Sequence, residues 1–164
     1  MSNILTIKIA PDFESRYPDS SAIATECAMN LVLTAELLEK RIAGLLVPFD
    51  LSPATGLVLS ILADSETPVS PNQIAERLII SRASVTSLLD SLEKRGFVIR
   101  KPHLFDRRML LVELTDSGRQ AARQFRPVVH QHQKMWMNAL SVHEQEQLIK
   151  TLQRLQAILM NSNI

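Results

Sequence analysis

Between Ser81 and Arg108 the sequence gathers side chains suited to holding a polyanion. Seven are basic (Arg82, Lys94, Arg95, Arg100, Lys101, Arg107, Arg108) and three acidic (Asp90, Glu93, Asp106). The stretch therefore carries +4, and the rest of a chain whose formal total is +1 carries −3. Ser81, Ser84, Thr86 and Ser87 set short hydroxyls beside Arg82. Such groups donate to phosphate oxygens or to the acceptor edges of bases. On a helix advancing about 100° per residue, Leu88, Leu89 and Leu92 lie within about 60° of Val85, and Ala83, Ser87, Asp90 and Lys94 fall on the other side. One face is built to bury. The other is short and rich in hydroxyls, a shape that a DNA groove can receive.

Other chemistries find little support. The chain has no Gly-rich phosphate loop, no HExxH, no GxSxG and no dense His/Asp/Glu cluster, so enzymatic activity is not expected and no cofactor is implied. His130 and His132 stand two apart, about 200° around a helix, and cannot chelate one ion locally, so no metal site is expected. The single cysteine, Cys27, excludes an internal disulfide and favours a reducing, cytoplasmic setting. No apolar run approaches the ~18 residues that would span a bilayer, and the N-terminal segment carries acids where a secretory signal would end, so no membrane partner is expected.

The elements that position these residues follow from caps and periodicity. With 46% apolar residues in 164, the chain supports one core with appended elements. Residues 1–19, with Pro11 and Pro18 and no sustained period, are expected to form an arm that orders only against a partner, since Ile4, Leu5, Ile7 and Ile9 argue against free solvation. Residues 20–50 carry a long amphipathic helix from Ser20 to Leu46, with Ile23, Cys27, Leu31, Leu38, Ile42 and Leu45 along one side. At 1.5 Å per residue it would reach about 39 Å, more than a small domain needs for its own interior, so it is expected to pack on a second copy.

Residues 51–115 hold the compact part. Ser52-Pro53 and Ser70-Pro71 each put a hydroxyl cap before a proline suited to the first helical position, and Ser81 caps a third helix that Gly96 ends. Two helices joined by a short turn, with Ala75 allowing close approach and Ile80 in the corner, form a helix-turn-helix. After Gly96 the period drops to two, and FVIRK and LLVEL read as a β-hairpin with its tip at His103 to Arg108. Thr115 then caps a helix expected to bend or break near Pro127. A last helix begins at Ser141 in capping-box spacing with Glu144, so residues 116–164 supply C-terminal helices that complete the dimerisation region. The fold class is mainly α with a small β-hairpin wing.

SRASVTSLLDSLEKRGFVIRK, followed by LFDRRM and LVELTDSG, resembles the winged helix-turn-helix of the multiple antibiotic resistance regulator (MarR) family. The combination of Asp106, Arg108, Leu114-Thr115 and Gly118 carries the resemblance, which covers Leu51 to Phe125 in motif and the chain from Ser20 in helix order. It implies a homodimer joined by its first and last helices, bound to a pseudo-palindromic operator in double-stranded DNA. The recognition helix would use Ser81, Arg82, Ser84, Thr86 and Ser87 in the major groove. Arg108 would enter the minor groove, oriented by Asp106 and assisted by Arg107. The resemblance also implies regulation by a small-molecule effector, and Ile23, Cys27, Leu31, Leu57 and Trp136 are candidates for its pocket.

Two other readings stay open. A winged helix can bind protein instead of DNA, because a fold does not fix function. Cys27 lies where peroxide-sensing members of the family carry a reactive thiol, but the only tyrosine is Tyr17 and Gly56 stands near where another would be expected, so a buried interfacial cysteine is preferred. The favoured reading is a dimeric transcriptional repressor released by its effector. Arg108→Ala is expected to weaken operator binding by about 1–3 kcal/mol in a mobility-shift titration while the protein remains dimeric.

Overall fold

A computed structural model describes residues 7–103 and 109–161. Asp106, Arg107 and Arg108, expected at the wing tip, and Ile4 and Leu5 of the arm lie outside the described residues. The elements are α1 (Phe13–Arg16), α2 (Ala22–Leu46), a 3₁₀ turn (Val47–Phe49), α3 (Pro53–Ala63), α4 (Pro71–Leu78), α5 (Arg82–Lys94), β1 (Val98–Pro102), β2 (Leu110–Leu114), α6 (Asp116–Met137) and α7 (Val142–Asn161).

Hydroxyl caps set most of these starts. Ser21, Ser52, Ser70, Ser81 and Thr115 each accept a backbone N–H three residues on. At α3 and α4 the cap is reciprocal, with Thr55 and Gln73 reaching back to the N–H groups of Ser52 and Ser70. At α7 the Ser141 hydroxyl and backbone N–H both donate to Glu144 Oε2 at 2.7 Å, and these bonds hold the Glu144 carboxyl below the ordinary carboxylate range.

β1 and β2 pair antiparallel, in a register that sets Val98 opposite Leu114 and Arg100 opposite Val112. Val69 adds a bridge to Val112, its N–H donating at 3.2 Å and its carbonyl accepting at 2.8 Å. The core lies beneath this hairpin, where Val58, Leu59, Ile74, Val85, Leu89, Leu92 and Val112 are buried together. It extends past the expected boundaries at 51 and 115. Leu46 of α2 and Ala122, Phe125 and Val129 of α6 belong to the same cluster, and the Phe49 and Phe125 rings meet edge to face at 6.2 Å. The winged unit therefore borrows the end of one flanking helix and the start of the next.

Two expectations change. Residues 7–19 lie on their own chain: Ile7 N–H donates to Asn30 Oδ1 at 3.3 Å, Asn30 Nδ2 to the Ile7 carbonyl at 2.9 Å, and Ile9 N–H to Glu26 Oε2 at 3.3 Å. An amide side chain 23 residues away satisfies this backbone, a pairing that no local period reveals. The helix expected to bend or break near Pro127 runs through it without a break. Phe125 and Val129 are buried on either side of the proline, so packing holds the turn that has lost an N–H.

α7 buries none of its residues, and Val142, Leu148, Ile149, Leu155, Ile158, Leu159 and Met160 are exposed. α2 buries only Leu46 and exposes Ile23, Met29, Val32 and Leu37. Among the described residues no single helix is long and apolar enough to cross a membrane.

Gly118 marks the tightest approach. The Thr115 N–H donates to the Phe97 carbonyl at 3.0 Å, and the Thr115 and Ser117 hydroxyls donate to the Gly96 carbonyl at 2.6 and 2.7 Å, drawing the first turn of α6 onto the root of β1. A Cβ at position 118 would stand 2.0 Å from the Phe97 carbonyl oxygen. Gly118→Ala is therefore expected to destabilise the fold by roughly 1–3 kcal/mol in urea denaturation, because backbone must move to admit the methyl.

Candidate nucleic-acid interface

α4 and α5 pack through Ile74 and Ala75 on one side and Val85 and Leu89 on the other, all buried. The turn between them places Ile79 in the left-handed region at φ 54°, unusual for a β-branched residue, with its side chain exposed. Its N–H and that of Ile80 return to the last carbonyls of α4, and Ile80 packs against the core. The strained residue reverses the chain so that the next side chain fills the corner. Ser81, Arg82, Ala83, Ser84, Thr86 and Ser87 then face solvent on α5.

Their hydroxyls are occupied locally. Ser81 Oγ caps the helix and lies 2.8 Å from Ser84 Oγ, Thr86 Oγ1 donates to the Arg82 carbonyl at 3.0 Å, and Ser87 Oγ to the Ala83 carbonyl at 3.2 Å. Bonded in this way, the Thr86 and Ser87 oxygens offer lone pairs outward, and rotation about χ1 exchanges each internal bond for one to a ligand. The Arg82 side chain is exposed and makes no hydrogen bond or ion pair among the described residues.

The hairpin is fastened beside this helix by one arginine. Arg100 Nη2 reaches Asp90 Oδ1 at 2.6 Å and the Thr86 carbonyl at 3.2 Å, Nη1 reaches Glu93 Oε2 at 2.8 Å, and the Arg100 backbone N–H donates to Glu93 Oε1 at 3.2 Å. Arg100 is one of the seven basic residues counted between Ser81 and Arg108. Its side chain is only 20% exposed and its guanidinium is spent on joining β1 to α5. Lys101 pairs with Glu113 of β2 at 2.7 Å. Arg95 donates to the carbonyls of Phe49 and Asp50 and lies 4.6 Å from the Phe97 ring centroid. Of the seven basic residues, three are thus committed to the fold, Arg82 and Lys94 are exposed, and Arg107 and Arg108 lie outside the described residues.

A family model described as MarR family matches residues 49–109, which span the helix-turn-helix and the first half of the hairpin. Over these residues the chain is similar to the MarR family. The transcriptional repressor MprA of Escherichia coli K12 is 29% identical over 140 residues, 85% of this chain and 78% of MprA. The HTH-type transcriptional repressor YetL of Bacillus subtilis is 33% identical over 96 residues, 58% of each chain's length. The S. aureus MepR–DNA complex superposes with a TM-score of 0.75 at 22% identity, covering 79% of this chain and 96% of that one. CouR from Rhodococcus jostii RHA1 bound to p-coumaroyl-CoA gives 0.75 at 22% identity, covering 88% and 99%. These likenesses establish the winged helix-turn-helix fold.

Within this winged helix-turn-helix fold the residues expected to line an effector pocket do not converge in one chain. Trp136 lines a cleft of about 910 Å³ between α2 and α6 with Leu37, Leu38, Arg41 and Leu45, and none of Ile23, Cys27, Leu31 or Leu57 shares it. Ile23 and Leu57 are largely exposed, since α2 turns the Ile23 side away from the core and Leu57 lies on the outer side of α3. Cys27, preferred as a buried residue, is exposed within the single chain. Among the described residues no cluster of His, Cys, Asp and Glu could hold a metal ion. The Arg100 clamp escaped sequence reading, although Asp90 and Glu93 one turn apart on α5 were its signal. Arg100→Met, which keeps the apolar stem and removes the charge, is expected to cost about 1 kcal/mol in urea denaturation and to lower the amide order parameters of β1 relative to α5.

Proposed function

We propose that this chain is a homodimeric, sequence-specific DNA-binding regulator in the cytoplasm, a repressor released from its operator by a small-molecule effector. The observation that carries the reading is the division of α5: one face is locked into the core by Val85, Leu89 and Leu92, and the other presents Arg82 and the hydroxyls of Ser81, Ser84, Thr86 and Ser87. A side chain can read a base only if its backbone is held to a fraction of an ångström, and this helix is held by the core and by Arg100. Relatives named as repressors and the MepR–DNA complex, which shares the fold, support the same reading. Asp106, Arg107 and Arg108 are proposed to carry the minor-groove contact beside it.

The dimer is supported by what the single chain leaves bare. α7 has no buried residue and α2 only one, yet both carry large apolar side chains in solvent. A second copy covers both with one symmetric interface, and it places two recognition helices for half-sites about 10 bp apart. Effector binding would then alter the tilt or separation of those helices, provided the ligand prefers the arrangement that does not fit the operator. Trp136 and the α2–α6 cleft remain the proposed place for it.

The test is a mobility-shift titration on an operator fragment recovered by genome-wide mapping of bound sites. Arg82→Ala is expected to lose about 1–3 kcal/mol of specific affinity and to keep its dimer, and affinity is expected to fall steeply with salt. Operator affinity indifferent to both would instead favour a winged helix that binds protein.

A further inference from the structure

α6 carries a second stripe that the DNA reading does not use. Its buried residues are Gly118, Ala122, Phe125 and Val129. One position on from each stand Arg119, Arg123, Arg126 and His130, so these four follow the same helical spacing along the edge of the core face. All four line a cleft of about 500 Å³ between α6, the end of α3 and the end of β2. That size suits a small organic ligand. Leu62, Leu114, Ala122 and Pro127 give the cleft an apolar floor.

The charges in it are incompletely matched. Arg126 Nη2 pairs with Asp64, while Arg126 Nε is buried and has no hydrogen-bond partner among the described residues. Arg119 meets Asp116 only at 3.5 Å, with both side chains exposed. Arg123 is exposed and has no hydrogen bond or ion pair among the described residues. Nearby, Glu113 is engaged by Lys101, and Glu66 lies in the adjoining cleft that shares Arg119. Three guanidiniums therefore face two carboxylates that stand in solvent, with one arginine wholly uncommitted and another short of an acceptor.

We propose that this cleft binds the phosphate group of a small organic phosphate, with Arg123 and Arg126 as its principal ligands, Arg119 at the rim and the organic body on the apolar floor. One guanidinium fork satisfies the two oxygens of a planar carboxylate, whereas the three terminal oxygens and double charge of a phosphate monoester can take donors from successive helical turns together. No lining residue belongs to α4, α5 or β1, and Leu114 at the base of β2 is the one taken from the hairpin, so the site lies apart from the side chains proposed to contact DNA and does not depend on that reading.

Isothermal titration calorimetry of the full chain without DNA tests it, with phenyl phosphate as probe and inorganic phosphate and benzoate beside it. Saturable binding of phenyl phosphate is expected, tighter than either of the other two. Arg123→Ala is expected to weaken it about tenfold or more, with an unchanged melting temperature because the residue is exposed and unpaired. Lys150→Ala on α7 is expected to leave it unchanged. The proposal is overturned if phenyl phosphate gives no saturable heat, if Arg123→Ala binds it as well as the parent, or if benzoate binds as tightly. It is also overturned if Arg123→Ala reduces operator affinity with probe binding intact, which would assign the cleft to the DNA backbone.

Discussion

Everything the DNA reading needs from this molecule rests on α5 being immobile on one side. Val85, Leu89 and Leu92 are 0, 1 and 0% exposed, so the helix cannot roll without opening the core. A helix of 13 residues has little stability of its own in water. Its position comes from that buried stripe, from the Ser81 cap and from the Arg100 clamp to β1. The clamp has a consequence for the electrostatics of the region. Part of its positive charge is neutralised by Asp90 and Glu93 in the same motif, so the cations left for a polyanion are fewer than the sequence count implies.

The second constraint acts at the other end of the molecule. The core draws in the end of α2 and the first half of α6, and then stops. Beyond it α2 and α7 project with apolar faces that one chain does not cover. Large apolar patches left bare on a folded chain mark an interface. The same α6 that closes the winged core continues to Trp136, beside α2. Leu46 of α2, Phe125 of α6 and Val85 of α5 belong to one buried cluster, so α2, α6 and the recognition helix share a core.

Much of this was legible in the sequence, and for definite reasons. Ser-Pro pairs, Ser81, Gly96 and Thr115 are local signals whose geometry needs no tertiary context, and they set helix starts and stops correctly. The hairpin was legible because its period is two. What stayed hidden depends on residues far apart in the chain: the Asn30 and Glu26 grip on the arm, the Arg100 clamp and the Arg95 bonds to Phe49 and Asp50. Basic residues near a recognition helix read alike in sequence whether they face solvent or carboxylates. The apolar faces that carry Ile23, Cys27, Leu31 and Leu57 do not say which neighbour will cover them. That Pro127 does not break α6 was hidden as well, because burial of Phe125 and Val129 on both sides of it is not a local signal.

The central claim is that the exposed face of α5 meets a duplex. Amide chemical-shift mapping of the labelled protein titrated with its operator tests this most directly. The account predicts that the strongest perturbations fall on residues 81–87 and on the hairpin, with buried amides such as that of Leu59 and the outer half of α7 far less affected. Perturbations confined to α7 or to the α3–α6 cleft, with the amides of α5 unmoved, would contradict it.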